Sequence, residues 1–197
     1  MITVFPDVHR RHAPAYEFFR GERVSCFESP SRADFVLKEL QARGHKVIAP
    51  NFDSHALLAQ IHTPRYLAFL ETAWSQWIAV DPANGSTQPF PSIWPVRTLR
   101  SDEEPSNFTA RLGLYSMDTG TPLVEGTWAA AKGAADAAAT AVNLVAAGAV
   151  AALCASRLPG HHAGADFMGG YSVVPQPHLP RDEQRQPYAE YPFETLK

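Results

Sequence analysis

Apolar positions recur along this chain with two different periods, and the order in which the periods alternate suggests an architecture. Ile2-Thr3-Val4-Phe5 is a short β-prone run stopped by Pro6, as expected of a first strand. Ala33, Val36, Leu37 and Leu40 follow at helical spacing. Ser29 is the predicted N-cap, Pro30 takes the first helical position, where a missing N–H costs nothing, and Gly44 ends the run. Lys46-Val47-Ile48-Ala49-Pro50 reads as a second strand, buried by its composition. Thr63 caps and Pro64 opens a longer helix whose apolar face carries Tyr66, Leu67, Phe69, Leu70, Ala73, Trp74 and Trp77. Gly126-Thr127-Trp128 begins an alanine-rich helix, with a threonine cap, that runs to about Gly148; Val150–Cys154 then makes a third buried strand. Strands separated by helices in this order predict an α/β fold with a parallel sheet and helical crossovers.

Two stretches lack a sustained period. Asp7 to Ser29 holds His9, His12, Glu17 and Glu22 among the aromatics Tyr16, Phe18, Phe19 and Phe27. That is too many rings for a linker, and they are expected to pin a long loop to the core. Asp81 to Pro122 is rich in Pro, Gly, Ser and Asn, yet Phe90, Ile93, Trp94, Val96 and Phe108 interrupt it. It reads as one long irregular excursion inside the domain, and loops of this length are usually functional.

Composition narrows the class. The 197 residues are 45% hydrophobic and 19% charged, which suits one globular domain with a real core. A net charge of -3 gives no basic field for nucleic acid. Cys26 and Cys154 are far apart and without C-x-x-C spacing, so buried free thiols are expected rather than a disulfide or a cysteine zinc cage. The N-terminus breaks into charge and proline too early for a secretory segment, and a cytoplasmic protein is expected. Ala129 to Cys154 is almost all small and apolar, but Lys132, Asp136 and Asn143 interrupt it, so a buried helix followed by a strand fits better than a membrane span.

The densest chemistry lies in Arg157-Leu158-Pro159-Gly160-His161-His162-Ala163-Gly164-Ala165-Asp166-Phe167-Met168-Gly169-Gly170-Tyr171. Two adjacent imidazoles follow a Pro-Gly turn and can divide the taking and giving of a proton, while the paired glycines let backbone approach whatever the histidines face. The third strand delivers the chain to this loop at the carboxyl edge of the sheet, where open α/β folds place their ligands.

Pro-Gly-His-His-Ala-Gly-x-Asp-x-x-Gly-Gly-Tyr closely resembles the signature of the histone deacetylase superfamily, in its acetylpolyamine amidohydrolase branch, and His62-Thr63-Pro64-Arg65-Tyr66-Leu67 resembles a second segment of the same superfamily. The resemblance implies a three-layer arginase/deacetylase-like fold, here incomplete on its C-terminal side. It also implies hydrolysis of an acetylated amine, acetylpolyamine or acetyl-lysine, at a single zinc ion. His162 would be the general base and His161 its electrostatic partner. Gly170 would offer a backbone carbonyl to the substrate amide, with Tyr171 and Phe27 lining a narrow tunnel. His62 is expected to fix the turn before its helix, and Asp166 to hold the loop by local hydrogen bonds. The resemblance further implies that the aromatic loop walls the site mouth and helps subunits pair as a homodimer, and that the long excursion shapes the dimer contact and tunnel entrance.

Asp102, Glu103, Glu104 and Asp118 are available to attract a cationic tail, although Thr109 and Gly120 stand where the branch's acidic substrate-binding residues are sought. Family members continue beyond Gly-Gly-Tyr with an Asp-x-His motif, a later Asp and a later Tyr that complete the zinc site and oxyanion contact. None of these follows Tyr171 in this sequence. The chain is therefore expected to divide into residues 1–171, the N-terminal part of a deacetylase-like domain, and residues 172–197, a proline-rich irregular tail outside the family pattern. Adjacent His161 and His162 do not readily aim at one ion, and His178 sits in that tail without a supporting partner. The expectation is a truncated, inactive chain that binds no zinc; the alternative is a non-catalytic regulatory protein pairing with a full-length deacetylase.

Overall fold

The computed structural model describes residues 1–96 and 102–176. Its centre is β1 (Ile2–Val4), which pairs in parallel with β4 (Lys46–Ile48) on one side and β5 (Ala152–Cys154) on the other, giving the order β4-β1-β5. Thr3 stands opposite both Val47 and Leu153. Alternation along the central strand sends its side chains to two different helices. Val4 packs with Ala137 and Ala141 of α5 (Thr127–Ala146), while Phe5 just beyond the strand packs with Ala33, Leu37 and Leu40 of α1 (Ser31–Ala42). Helix, sheet and helix thus form three layers, as the resemblance implies, around the parallel sheet that the alternating pattern predicted.

The alanine-rich sequence of α5 has a steric purpose. Ala130, Ala134, Ala135 and Ala137 are almost completely buried, so neighbouring chain lies close to the helix axis. At Gly133 the approach is closer still: a Cβ there would come within 2.3 Å of Val8 Cγ1. Among the described residues no helix is long and apolar enough to cross a membrane.

The largest core cluster lies beside the sheet. It joins Tyr66, Leu67, Phe69, Leu70 and Ala73 of α3 (Pro64–Val80) with Phe108, Leu112 and Leu114 of α4 (Phe108–Leu114), Tyr115, the start of α5, and Leu158, Met168, Val173 and Val174. The predicted apolar face of α3 is therefore its packing face, although Trp74 and Trp77 are only partly buried. Thr63 caps the helix as expected, its hydroxyl accepting from the Tyr66 N–H at 3.4 Å.

Several local expectations differ. Helix α1 starts at Ser31 with Pro30 at the capping position, so Ser29 is one residue too early; its hydroxyl meets that of Ser31 at 2.8 Å. Thr127 does not cap α5, because its hydroxyl accepts from Val124 N–H and pairs with His12 Nδ1 at 3.0 Å. Strands β4 and β5 are partly rather than fully buried, since each has only one described neighbour in the sheet. A short helix, α2 (His55–Ile61), falls where no period announced one. The aromatic loop folds into a 3-10 turn at Asp7–Arg11 and a hairpin of β2 (Glu17–Phe19) and β3 (Glu22–Val24). Its two-residue turn, Arg20-Gly21, has positive φ at both positions, the geometry that suits the twist of paired strands.

The chain stays on the core beyond Tyr171, since Ser172, Val173 and Val174 are buried and the Tyr66 hydroxyl donates to Val173 C=O at 2.7 Å. The expected change of character at residue 172 therefore does not begin with a loss of packing. His178 and the rest of the chain beyond residue 176 lie outside the described residues.

Candidate functional site

The loop from Gly160 to Ser172 is built by contacts to three other parts of the chain. Its floor is the entrance to α3. Ala165 C=O accepts from Thr63 N–H at 2.9 Å and lies 3.2 Å from His62 Nδ1, while Asp166 pairs with Arg65 Nη2 at 3.4 Å. His62 thus fixes the turn before its helix, as predicted, and burial holds its imidazole below the usual pKa. Asp166 also holds the loop, by reaching across to Arg65 of α3. The two motifs that carried the resemblance are one bonded unit.

At the top of the loop the rings of His161 and His162 lie 4.1 Å apart, centre to centre, and both residues are solvent-exposed. His162 N–H donates to Ser172 Oγ at 3.2 Å. The paired glycines answer to two different neighbours: a Cβ on Gly170 would fall 2.6 Å from His162 Cδ2, and one on Gly169 would run into Met117. Gly170 and Tyr171 both have positive φ, +52° and +63°, and Ser172 N–H donates to Gly169 C=O at 2.8 Å. This is the backbone pattern of a type I′ turn, in which glycine is favoured and tyrosine is not. Left-handed geometry at a non-glycine residue costs about 1–2 kcal/mol, so Tyr171 must be held there.

Three anchors hold the turn. Gly170 N–H donates to Asp118 Oδ2 at 2.7 Å, Tyr171 N–H to Thr121 Oγ1 at 2.9 Å, and the Tyr171 hydroxyl to Glu17 Oε1 at 2.7 Å. Glu17 is buried, and its second oxygen accepts from Cys26 Sγ at 3.2 Å and from Phe27 N–H at 3.3 Å. Burial first, then the bond to Glu17, raises the Tyr171 phenol well above its usual range; the same causes push the Cys26 thiol up to about 12. Both cysteines are free, though only partly buried.

A second tie comes from Arg157, at the start of the loop. Its guanidinium is buried and donates to Glu28 Oε1 at 2.7 Å, Glu28 C=O at 2.9 Å, His9 C=O at 2.9 Å and His12 C=O at 2.6 Å. The other Glu28 oxygen pairs with Arg32. Burial pushes the Arg157 pKa down to about 10, still charged at neutral pH, and burial with this cation alongside takes His12 down to about 3.

Of the residues expected at the site, His162 lies against both His161 and Gly170, and Tyr171 and Phe27 meet at the Glu17 carboxylate. The Phe27 side chain is 60% exposed and packs edge-on against Phe19. Of the acids expected to attract a cation, Glu104 lies 3.7 Å from Arg111 and Asp118 is committed to Gly170 and Gly120. Sequence reasoning gave no role to Glu17, Thr121, Ser172 or the Arg157–Glu28 pair. An acid inside an aromatic loop was the only signal of any of these.

The described residues do not fit a metal site: no three His, Cys, Asp or Glu side chains among them are grouped to hold an ion.

Residues 26–180 match the family model described as the histone deacetylase domain. The chain belongs to the histone deacetylase family. It is 40% identical over 172 residues to acetylpolyamine amidohydrolase 2 of Pseudomonas aeruginosa, covering 87% of this chain and 49% of that protein. It is 34% identical over 175 residues to the acetylpolyamine amidohydrolase of Mycoplana ramosa, covering 88% and 50%. The deacetylase-family chain therefore spans about half the length of the curated relatives it matches. The crystal structure of acetylpolyamine aminohydrolase from Burkholderia pseudomallei superposes with a TM-score of 0.78 at 28% identity, over 89% of this chain and 50% of that one. The HD domain of HDA15 shares the fold, with a TM-score of 0.57 at 18% identity, over 89% and 40%. The three-layer arrangement is accordingly part of the arginase/deacetylase fold.

Proposed function

We propose that this chain forms the proton-handling side of an amidohydrolase site for acetylated amines of the acetylpolyamine or acetyl-lysine type. The observation that carries the reading is the His161–His162 pair, held on one loop with Gly170 against the His162 ring. In this reading His162 takes the proton of the attacking water and His161 lends it electrostatic support. The Gly170 carbonyl accepts the substrate amide N–H, and the Tyr171 and Phe27 rings flank the methylene chain. The family's zinc belongs to the reaction as a whole, but the described residues do not supply its ligands. We expect the 197-residue chain to bind no stoichiometric zinc and to hydrolyse nothing alone.

The test has two parts. Adding an acetylated diamine should shift the imidazole NMR signals of His161 and His162 but not those of buried His9 and His12; unmoved signals refute the substrate class. Zinc analysis with a hydrolysis assay checks the second expectation, and near-stoichiometric metal with chelator-sensitive turnover overturns it.

An interaction role is favoured by one further observation: the hairpin and the residues just after it expose Phe18, Phe19 and Phe27. On that reading the chain pairs with itself or with a full-length deacetylase, and sedimentation with and without such a relative distinguishes the two. The net charge of -3 argues against nucleic acid as partner, and two free thiols suit the cytoplasm.

A further inference from the structure

The end of the long excursion, residues 115–121, runs alongside the end of the histidine loop, residues 168–171. Met168 N–H donates to Tyr115 C=O and Met117 N–H to Met168 C=O, both at 2.9 Å, in a short parallel bridge. Beyond the bridge, side chains take over from backbone: Asp118 accepts from Gly170 N–H and Thr121 from Tyr171 N–H. Asp118 also accepts from Gly120 N–H at 2.9 Å, which closes a small turn and fixes its own carboxylate. Thr121 is only 4% exposed, so its hydroxyl meets the loop and not the solvent.

A peptide unit is planar and trans, so its N–H and C=O point in opposite directions. The N–H of Tyr171 and the C=O of Gly170 belong to the same unit. Holding that N–H on Thr121 therefore aims the Gly170 carbonyl away from Thr121, and Asp118 fixes the preceding unit in the same way. We propose that Thr121 and Asp118 are positioning residues that set the direction of the Gly170 carbonyl. Asp118 is then no contact for a cationic substrate. The inference rests on the amidohydrolase reading, which gives that carbonyl its substrate.

Amide exchange and ligand binding followed by NMR on the whole chain test it, with Thr121→Val, Thr121→Ser and Asp118→Asn as variants. Two ligands of equal length are used, an acetylated diamine and a neutral N-alkyl acetamide. Thr121→Val should raise exchange of the Tyr171 amide at least tenfold while α3 amides stay protected. It should weaken both ligands by the same factor, and Thr121→Ser should restore both. Asp118→Asn should likewise weaken the two ligands equally. Unchanged Tyr171 exchange in Thr121→Val overturns the proposal, and so does a loss confined to the cationic ligand in Asp118→Asn. If the unaltered chain binds neither ligand, the amidohydrolase reading fails and the positioning role falls with it. That outcome is told apart from the others because exchange is read without ligand.

Discussion

Replacing Arg157 by Met tests how the histidine loop is tied to the rest of the chain. The guanidinium makes four hydrogen bonds: one to the Glu28 carboxylate and three to the carbonyls of His9, His12 and Glu28. Glu28 and Arg157 are 1% and 5% exposed, so water does not replace what is lost. Breaking one partner of a buried pair costs about 3–5 kcal/mol, a large share of the ~5–15 kcal/mol that holds a domain together. Adding Glu28→Gln to Arg157→Met removes a carboxylate left with only the exposed Arg32 as its ion partner and should recover on the order of 1–3 kcal/mol; the three carbonyls that lose the guanidinium keep the remainder. Arg157→Lys restores the charge but not the fork, and should fall between the parent and Arg157→Met. Equilibrium urea unfolding followed by tryptophan fluorescence measures each difference. A loss below about 1 kcal/mol in Arg157→Met, or strict additivity of the two single changes, would refute the account.

Other expectations are more local. His9, His12 and His62 all have imidazole pKa values lowered chiefly by burial, His12 to about 3, so the unfolded chain binds more protons than the folded one below pH 6.5. Their contribution is fully present above that pH and is lost as pH falls below it, for His12 down to about 3 with a limiting slope of about 1.4 kcal/mol per unit; urea midpoints that stay level from about pH 7 to about pH 5 contradict this. Gly170→Ala combines a positive φ with a Cβ only 2.6 Å from His162 Cδ2, so the His162 imidazole resonances should move and stability fall by about 1–2 kcal/mol; unmoved resonances count against the packing described. Gly133→Ala drives a methyl into Val8, for which overpacking predicts a loss of about 1–3 kcal/mol by thermal or urea melting, against almost none for Ala146→Gly at the end of the same helix. Tyr66→Phe strands the buried Val173 carbonyl at a cost of about 1–3 kcal/mol, and a melt identical to the parent's rules that bond out as a support.

Periodicity sets the parts of the fold that are legible in the sequence. The apolar face of α3, the small residues of α5 and the parallel pairing of three strands all follow from residues a few positions apart. So does the juxtaposition of His161 and His162, which are neighbours in sequence. What could not be read is contact at long range. Nothing local tells Glu17 that its acceptor oxygens will meet Tyr171 and Phe27, or Arg157 that three carbonyls of the first loop wait for it. The missed caps have a similar cause. Thr127 has the right chemistry for a cap, but its hydroxyl is claimed by His12, 115 residues earlier. Strands β4 and β5 read as buried because composition records what a strand is suited to, whereas exposure depends on which neighbours lie beside it.

The bond between Ala165 and the entrance of α3 also bears on the order of events during folding. Thr63 and Ala165 are about a hundred residues apart, and so are Arg65 and Asp166. Closing so long a loop carries an entropic penalty that must be met before these contacts reward it. The helices can therefore form from their own sequence early, while the histidine loop has no shape to adopt until α3 is in place to receive it. In this chain the chemistry-bearing segment should be among the last to set, and its amides among the last to gain protection in a refolding experiment.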